Sequence, residues 1–393
     1  MKTSRIVLPL VLVALFVFLP FSQSFALVDR QDSPVVDCEE LIRTVYTKMN
    51  GVTDRSADEA YKALRFDKKT KAYLDSKISL TEYNDTLYDL GKDYYAVQVK
   101  LLGVNTENGR RTAEYQVIEN FKYTNTRERS VKSEVVYITL DAENTICDFY
   151  CPTADFDMTV RGNLSLNELS ENGIATKAND LKAQIRSVYE AETNSHVIVK
   201  SPVDPIAPYK INHSNVSYYA KNNYYKNSPS SGVSGVSYFD FSTISNQFDC
   251  TNFVSHAIAY GGAHLYDTGG SGISSTGWYY RDINNRSSSW SSVVYLYNYL
   301  VNNTVYNKAS GVSSTYSMNG VWEIGDILQL SSTNSANDYI HSTIITGRSY
   351  ISSGTYDARV TYRTSSSSYG MNVAPSSLYT GVKRNICVYN YFW

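Results

Sequence analysis

One cysteine in this chain has the surroundings of a nucleophile. Cys250 lies in the run Phe248-Asp249-Cys250-Thr251-Asn252-Phe253-Val254-Ser255-His256-Ala257-Ile258-Ala259-Tyr260-Gly261-Gly262, with Phe253, Val254, Ala257 and Ile258 three, four, seven and eight positions beyond it. Those offsets share a face at 3.6 residues per turn, so the spacing predicts a helix docked by that face. Asp249 is a suitable N-cap, and Gly261-Gly262 supplies the stop. A thiol in the first turn feels the positive end of the helix dipole, which favours the thiolate and draws the pKa down from about 8.5 toward neutrality. The competing reading is a buried structural cysteine.

A thiolate catalyst needs a base that generates it and later protonates the leaving group. The chain has five histidines. His196 and His213 precede the core of the second half, and His264 follows the helix stop. His256 is six residues past Cys250, about 240° round the same helix, and points away from it. His341 opens the alternating run His341-Ser342-Thr343-Ile344-Ile345-Thr346-Gly347, which reads as a strand. From a strand start an imidazole can face a helix N-terminus. No His-Glu-x-x-His run and no Gly-x-Ser-x-Gly elbow occurs, so the sequence predicts neither a metal site nor a serine nucleophile, and no cofactor.

The elements that must hold these residues fall into two halves of different character. Residues 27–200 carry 29 acids and 23 bases, whereas residues 201–393 carry 9 and 11 but hold all four Trp and 23 of the 35 Tyr. The net charge of −2 gives no basic footprint for nucleic acid. Residues 1–26 read as an export signal: Lys2 and Arg5, an apolar run from Ile6 to Phe18, then Ser24-Phe25-Ala26. A secreted product with no membrane span after cleavage is expected. Five cysteines make an odd count, and Cys38, Cys147, Cys151 and Cys387 could form up to two disulfides or none.

In chain order, residues 37–50 read as a helix and 56–90 as further helical pattern. Alternating strands then run from Tyr94 to Val104, Arg111 to Tyr123 and Ser133 to Leu140, with Asn108-Gly109 as a hairpin turn between the first two. Thr145 to Tyr150 follows. Helices before a meander predict an N-terminal α+β domain over 27–200, with helices on a curved sheet and no catalytic constellation; the order resembles, in topology alone, the cystatin-like or nuclear-transport-factor-like fold. Residues 201–210, with Pro202, Pro205 and Pro208, read as a linker. The second module, 211–393, has a helix at 215–227, the Cys250 helix, a helix at 292–300, then strands at 327–330, 341–347 and 358–364. Helix first and antiparallel strands after is the order of a papain-like cysteine hydrolase.

Several ordered motifs carry a family resemblance. Asp249 to Ser255 with Gly261-Gly262, Trp278-Tyr279-Tyr280, Ser289-Trp290, Gly325-Asp326-Ile327 and Asp338 to His341 with Ser342 resemble the bacterial putative amidase domain family, over roughly 215–380. That family is related to papain-like and CHAP-type cell-wall amidases. The resemblance implies an α+β fold and amide hydrolysis with Cys250 as nucleophile and His341 as acid and base. Cell-wall peptide or a related amide is the implied substrate. Asp249 is a candidate partner for a substrate ammonium, and Trp278, Tyr280 and their aromatic neighbours are candidates to line a groove. Where the family reads Tyr-His-Thr, this chain reads Tyr362-Arg363-Thr364. Arginine has no acceptor to orient His341, which leaves Thr364, Ser365, a backbone carbonyl or Asp338 for that part. A binding module without activity and a cysteine acyltransferase are the alternative functions.

Overall fold

The computed structural model describes residues 38–388 apart from 52–54, 163, 195–210, 246, 303–309, 313–321, 336 and 353–354. The export signal and the 201–210 linker lie outside the described residues.

The first half opens with helices α1 (Cys38–Met49), α2 (Arg55–Ala63) and α3 (Lys68–Leu87). In α1, Glu39 and Glu40 sit in the first turn and Lys48 in the last, each complementing the dipole, while Leu41, Ile42, Val45 and Tyr46 are buried. Strands β1 (Lys92–Glu107), β2 (Arg110–Tyr123), β3 (Ser130–Leu140) and β4 (Ile146–Tyr150) follow. Asn108 and Gly109 both take positive φ, 52° and 74°, which a two-residue hairpin turn of this twist demands. Leu41, Val45, Val117, Val136 and Ile138 join α1 to the inner face of this meander. Helices α4 (Asp155–Val160) and α5 (Glu171–Asn194) complete the half, with Leu181 and Ile185 packing beside Tyr73 and Leu80 of α3.

The second half contributes α6 (His213–Asn223), α7 (Cys250–Tyr260), a small sheet of β5 (Ile273–Ser274), β6 (Tyr280–Asp282) and β7 (Asn285–Ser287), then α8 (Ser288–Ser291) and α9 (Val293–Leu300). Strands β8 (Ser310–Val312), β9 (Ile327–Ser331), β10 (Tyr339–Ser352), β11 (Thr355–Arg363), β12 (Tyr369–Val373) and β13 (Lys383–Cys387) extend the sheet of the first half. Its order is β1-β2-β3-β12-β11-β10-β9-β13-β8, antiparallel throughout. The free edge of β3 is divided: Tyr137 to Leu140 pair with β4, and Val131, Lys132 and Ser133 pair with Met371, Gly370 and Tyr369 of β12. Side chains reinforce this joint, as Ser130 Oγ and Ser133 Oγ each donate at 2.7 Å to the carbonyls of Asn372 and Ser367. The fold is thus α+β around one large antiparallel sheet.

Side-chain alternation gives this sheet two different faces in the second half. Ile327, Ile344 and Ile386 point toward α6 and α7, with Phe253, Val254, Ala257 and Ile258 fully buried against them. Leu328, Leu330, Ile345 and Val360 point the other way, with Leu378 and Tyr379 packed on them. None of the five cysteines is joined in a disulfide, so neither bridge allowed by the sequence forms. Among the described residues no helix is long and apolar enough to cross a membrane.

Candidate active site around Cys250

Helix α7 begins at Cys250, as the apolar spacing predicts. Asp249 N–H donates to the Thr364 carbonyl at 2.9 Å, which ties the helix start to the end of β11. At the other end Gly261 caps the helix, and a Cβ there would come within 2.3 Å of Val216 in α6. The helix is therefore fixed at both termini.

Asp249 stands at the N-cap position, but its side chain does not cap. It is fully buried and turns instead to Arg363, whose Nε donates to Oδ2 at 2.8 Å. Tyr238 Oη, Asn252 Nδ2 and Phe241 N–H also donate to this carboxylate. Arg363, itself fully buried, reaches Asp240 with its other arm and the carbonyls of Lys226 and Tyr224 at 2.8 and 3.2 Å. Burial, with Asp240 adding like charge, pushes Asp249 up to about 7 against the pull of Tyr238 and Arg363. Asp249, the candidate partner for a substrate ammonium, is instead one arm of a buried acid–arginine–acid clamp next to Cys250. Arg363 is its centre.

The aromatic residues lie behind α7 rather than along a groove. Trp278 is fully buried and Tyr280 is 3% exposed. Trp290 Nε1 donates to Asn252 Oδ1 at 2.8 Å, and Trp278 Nε1 donates to Ser255 Oγ at 3.2 Å. In a charge-poor half, indole N–H groups satisfy the polar side chains of a helix buried on every side. His256, on the same helix, sits among Tyr238, Tyr280 and Trp290 with ring centroids 4.6 to 5.6 Å apart across the cluster. Its Nδ1 accepts the Gly232 N–H at 3.1 Å, which places its proton on Nε2, and burial drives its pKa down to about 3. It is a neutral structural group.

Cys250 is 4% exposed. The Ser342 backbone N–H and the Thr251 hydroxyl, 3.8 Å from the sulfur, favour its thiolate, but burial outweighs them and pushes the thiol up. The lowered pKa expected of a helix N-terminus is therefore reversed by desolvation. His341 and Ser342 are neighbours on β10 and look in opposite directions. Ser342 Oγ accepts from Thr251 of α7 at 3.2 Å and from Gln329 at 3.1 Å. His341 faces the other side, its ring against Tyr362 and Tyr379 at 5.2 and 5.5 Å. It is 3% exposed, burial holds its pKa down at about 3, and it makes no hydrogen bond among the described residues. The sulfur thus touches the backbone beside His341 without a bond to its ring.

His341 lines a cavity of about 130 Å³ roofed by the helices of the first half. Glu119, Lys132, Glu134 and Asp155 line it with Tyr362, Thr364 and Tyr379. Sequence reading assigned no site residue to the first half. The available signal was ionisable residues at inward positions of otherwise apolar strands, Glu119 after Val117-Ile118 and Glu134 before Val135-Val136. Asp338, a candidate to orient His341, accepts instead from Thr333. Thr364 alone of the polar candidates shares the cavity with the imidazole as a side chain. His196 lies outside the described residues.

Residues 210–388 match the family model described as a putative amidase domain, in agreement with the motifs quoted above. The general activity that this family description supports is amide hydrolysis. No curated protein and no solved structure gives a match.

Proposed function

We propose that residues 211–393 form a papain-like cysteine amidohydrolase of an exported chain, with cell-wall peptide or a related amide as substrate. The observation that carries this reading is the position of Cys250: first residue of a doubly anchored helix, its sulfur against the N–H of the residue that follows His341. The Cys250 sulfur attacks the amide carbonyl, and the backbone N–H of Cys250 at the helix start helps hold the oxyanion. His341 accepts the thiol proton and returns it to the leaving amine. Water then cleaves the thioester with His341 as base. Burial leaves the imidazole unprotonated and Cys250 a thiol in the resting protein, so transfer of the proton from sulfur to ring is uphill until bound substrate changes their surroundings. The resting pair is neutral, and substrate binding must bring the ring onto the sulfur.

A second reading, a binding module without hydrolysis, is favoured by one observation. Arg363 spends its whole guanidinium on Asp249, Asp240 and two carbonyls and offers nothing to orient His341. Digestion of purified cell wall separates the two. New amino termini released by the intact protein and not by Cys250→Ala support the hydrolase, and release by both or by neither defeats it. Transfer to an added amine in place of water identifies an acyltransferase instead.

A further inference from the structure

The cavity under His341 contains more carboxylate than cation. Lys132 pairs with Glu134 at 3.0 Å and with Glu119 at 3.8 Å, Lys92 pairs with Asp85 at 2.8 Å, and Lys77 pairs with Asp157. Asp155 is left over. It is 6% exposed and lines the cavity, and its donors are all neutral: Thr380 N–H at 2.9 Å, Thr380 Oγ1 at 2.7 Å and Thr159 Oγ1 at 3.5 Å. It forms no ion pair among the described residues. Burial accordingly pushes its pKa up to about 6. A second polar side chain in the same cavity, His341, is 3% exposed and has no hydrogen-bond partner among the described residues.

The surface beside the cavity has the same sign. A surface recess shares Met49, Asn50, Asp85 and Lys92 with the cavity and adds Glu82, Asp89 and Asp93 around Lys92. With Asp85 paired to Lys92 at 2.8 Å and Asp93 to Lys122 at 3.4 Å, Glu82 and Asp89 leave the recess acidic, which raises the local concentration of cations beside the cavity. Inside, the ring of Tyr379 links the two ends of the cavity. It packs on His341, and its phenol is raised by burial and then by the charges of Asp155 and Cys250, so both groups lie within its electrostatic reach.

We propose that this cavity is a binding site for the ammonium group of an amide substrate, with Asp155 as its counter-ion, so that the substrate class is a peptide or aminoacyl amide with a free amine. The fate of the ligand rests on the amidase reading; its binding does not. A desolvated carboxylate without a cation takes an ammonium and rejects the same molecule once its amine is acylated, because acylation removes the charge and leaves Asp155 unpaired. The first half thereby supplies the specificity of a reaction carried out by the second.

The test is calorimetric titration of alanyl-alanine amide and of N-acetyl-alanyl-alanine amide into the full chain bearing Cys250→Ala, which prevents turnover. The free amine is expected to bind at least tenfold tighter. Asp155→Asn, which keeps an acceptor for Thr380, is expected to abolish that preference while the melting temperature reports the fold. Equal binding of the two ligands overturns the proposal, as does absence of binding by either. The comparison between ligands holds even if Asp155→Asn fails to fold. Hydrolysis assays on the unsubstituted protein run separately: binding of the free amine without hydrolysis retires the amidase reading alone, and hydrolysis with equal binding of both ligands retires this site alone.

Discussion

Arg363→Leu should unmask the cost of the charge buried next to Cys250. Arg363 and Asp249 are both fully buried, and the guanidinium also serves Asp240 and two backbone carbonyls. Removing one partner of a buried pair costs about 3–5 kcal/mol, because the remaining charge stays desolvated. The pH dependence is the sharper part. Asp249 has a folded pKa of about 7, raised above the unfolded value near 4, so its contribution is present at acid pH and lost as pH rises through the folded value. Without Arg363 the folded pKa climbs further. At pH 5.5 Asp249 is protonated in both proteins. At pH 8.5 it is ionised in the wild type and resists ionisation in the variant, which adds about 2 kcal/mol at 1.36 kcal/mol per pH unit. Urea unfolding at the two pH values should show Arg363→Leu less stable at both, with the larger deficit at pH 8.5. In an Asp249→Asn background the deficit caused by Arg363→Leu, measured against Asp249→Asn alone, should be the same at the two pH values. A deficit below about 1 kcal/mol at pH 8.5, against the 3–5 expected of a buried pair, or equal deficits at both pH values, refutes the clamp.

Three further outcomes follow from the buried groups. Iodoacetamide at pH 6 should spare Cys250, which is buried with a raised pKa, and modify the partly exposed Cys147 first, as read by peptide mass spectrometry; preferential labelling of Cys250 would contradict its placement. Gly232→Ala should lose about 3 kcal/mol or more in urea unfolding, since its Cβ would lie 1.8 Å from the His256 carbonyl oxygen, backbone that cannot yield; an unchanged midpoint would be incompatible with that approach. His256 is held neutral with a folded pKa of about 3, below its unfolded value, so the stability it contributes is present above about pH 6.5 and lost toward pH 3. His256→Phe should therefore unfold with a shallower pH dependence than the wild type between pH 6 and 4, and parallel curves would show that the imidazole charges freely.

What could be read from the residues was whatever local spacing determines. The Cys250 helix starts and stops where its apolar offsets and Gly261 indicate, and the Asn108-Gly109 turn joins two strands as its type requires. What could not be read was long-range. Asp249 looks like an N-cap because capping is local, but its partner stands 114 residues away, on a strand whose register no periodicity reveals. An arginine in the charge-poor half, within Val360-Thr361-Tyr362-Arg363, was the available sign that a buried acid awaited it. Trp278 and Tyr280 suggested a groove through residue type, yet indole N–H groups serve a buried polar helix equally well. His341 was identified as a strand residue, but which face of the strand it occupies depends on parity, and one residue of register decides it.

The joint between β3 and β12 has a consequence for any attempt to take the protein apart. Three residue pairs carry it, with Ser130 and Ser133 bonded across. A fragment starting at residue 211 would bare the β12 ladder at Tyr369 to Met371, and its complement would bare Val131 to Ser133 on β3. Two such edges match each other in register and chemistry, so separately produced halves should find one another and rebuild the sheet. Either half alone is instead open to pairing with its own copies. The same three pairs that close the fold would then serve as the recognition code of a split protein.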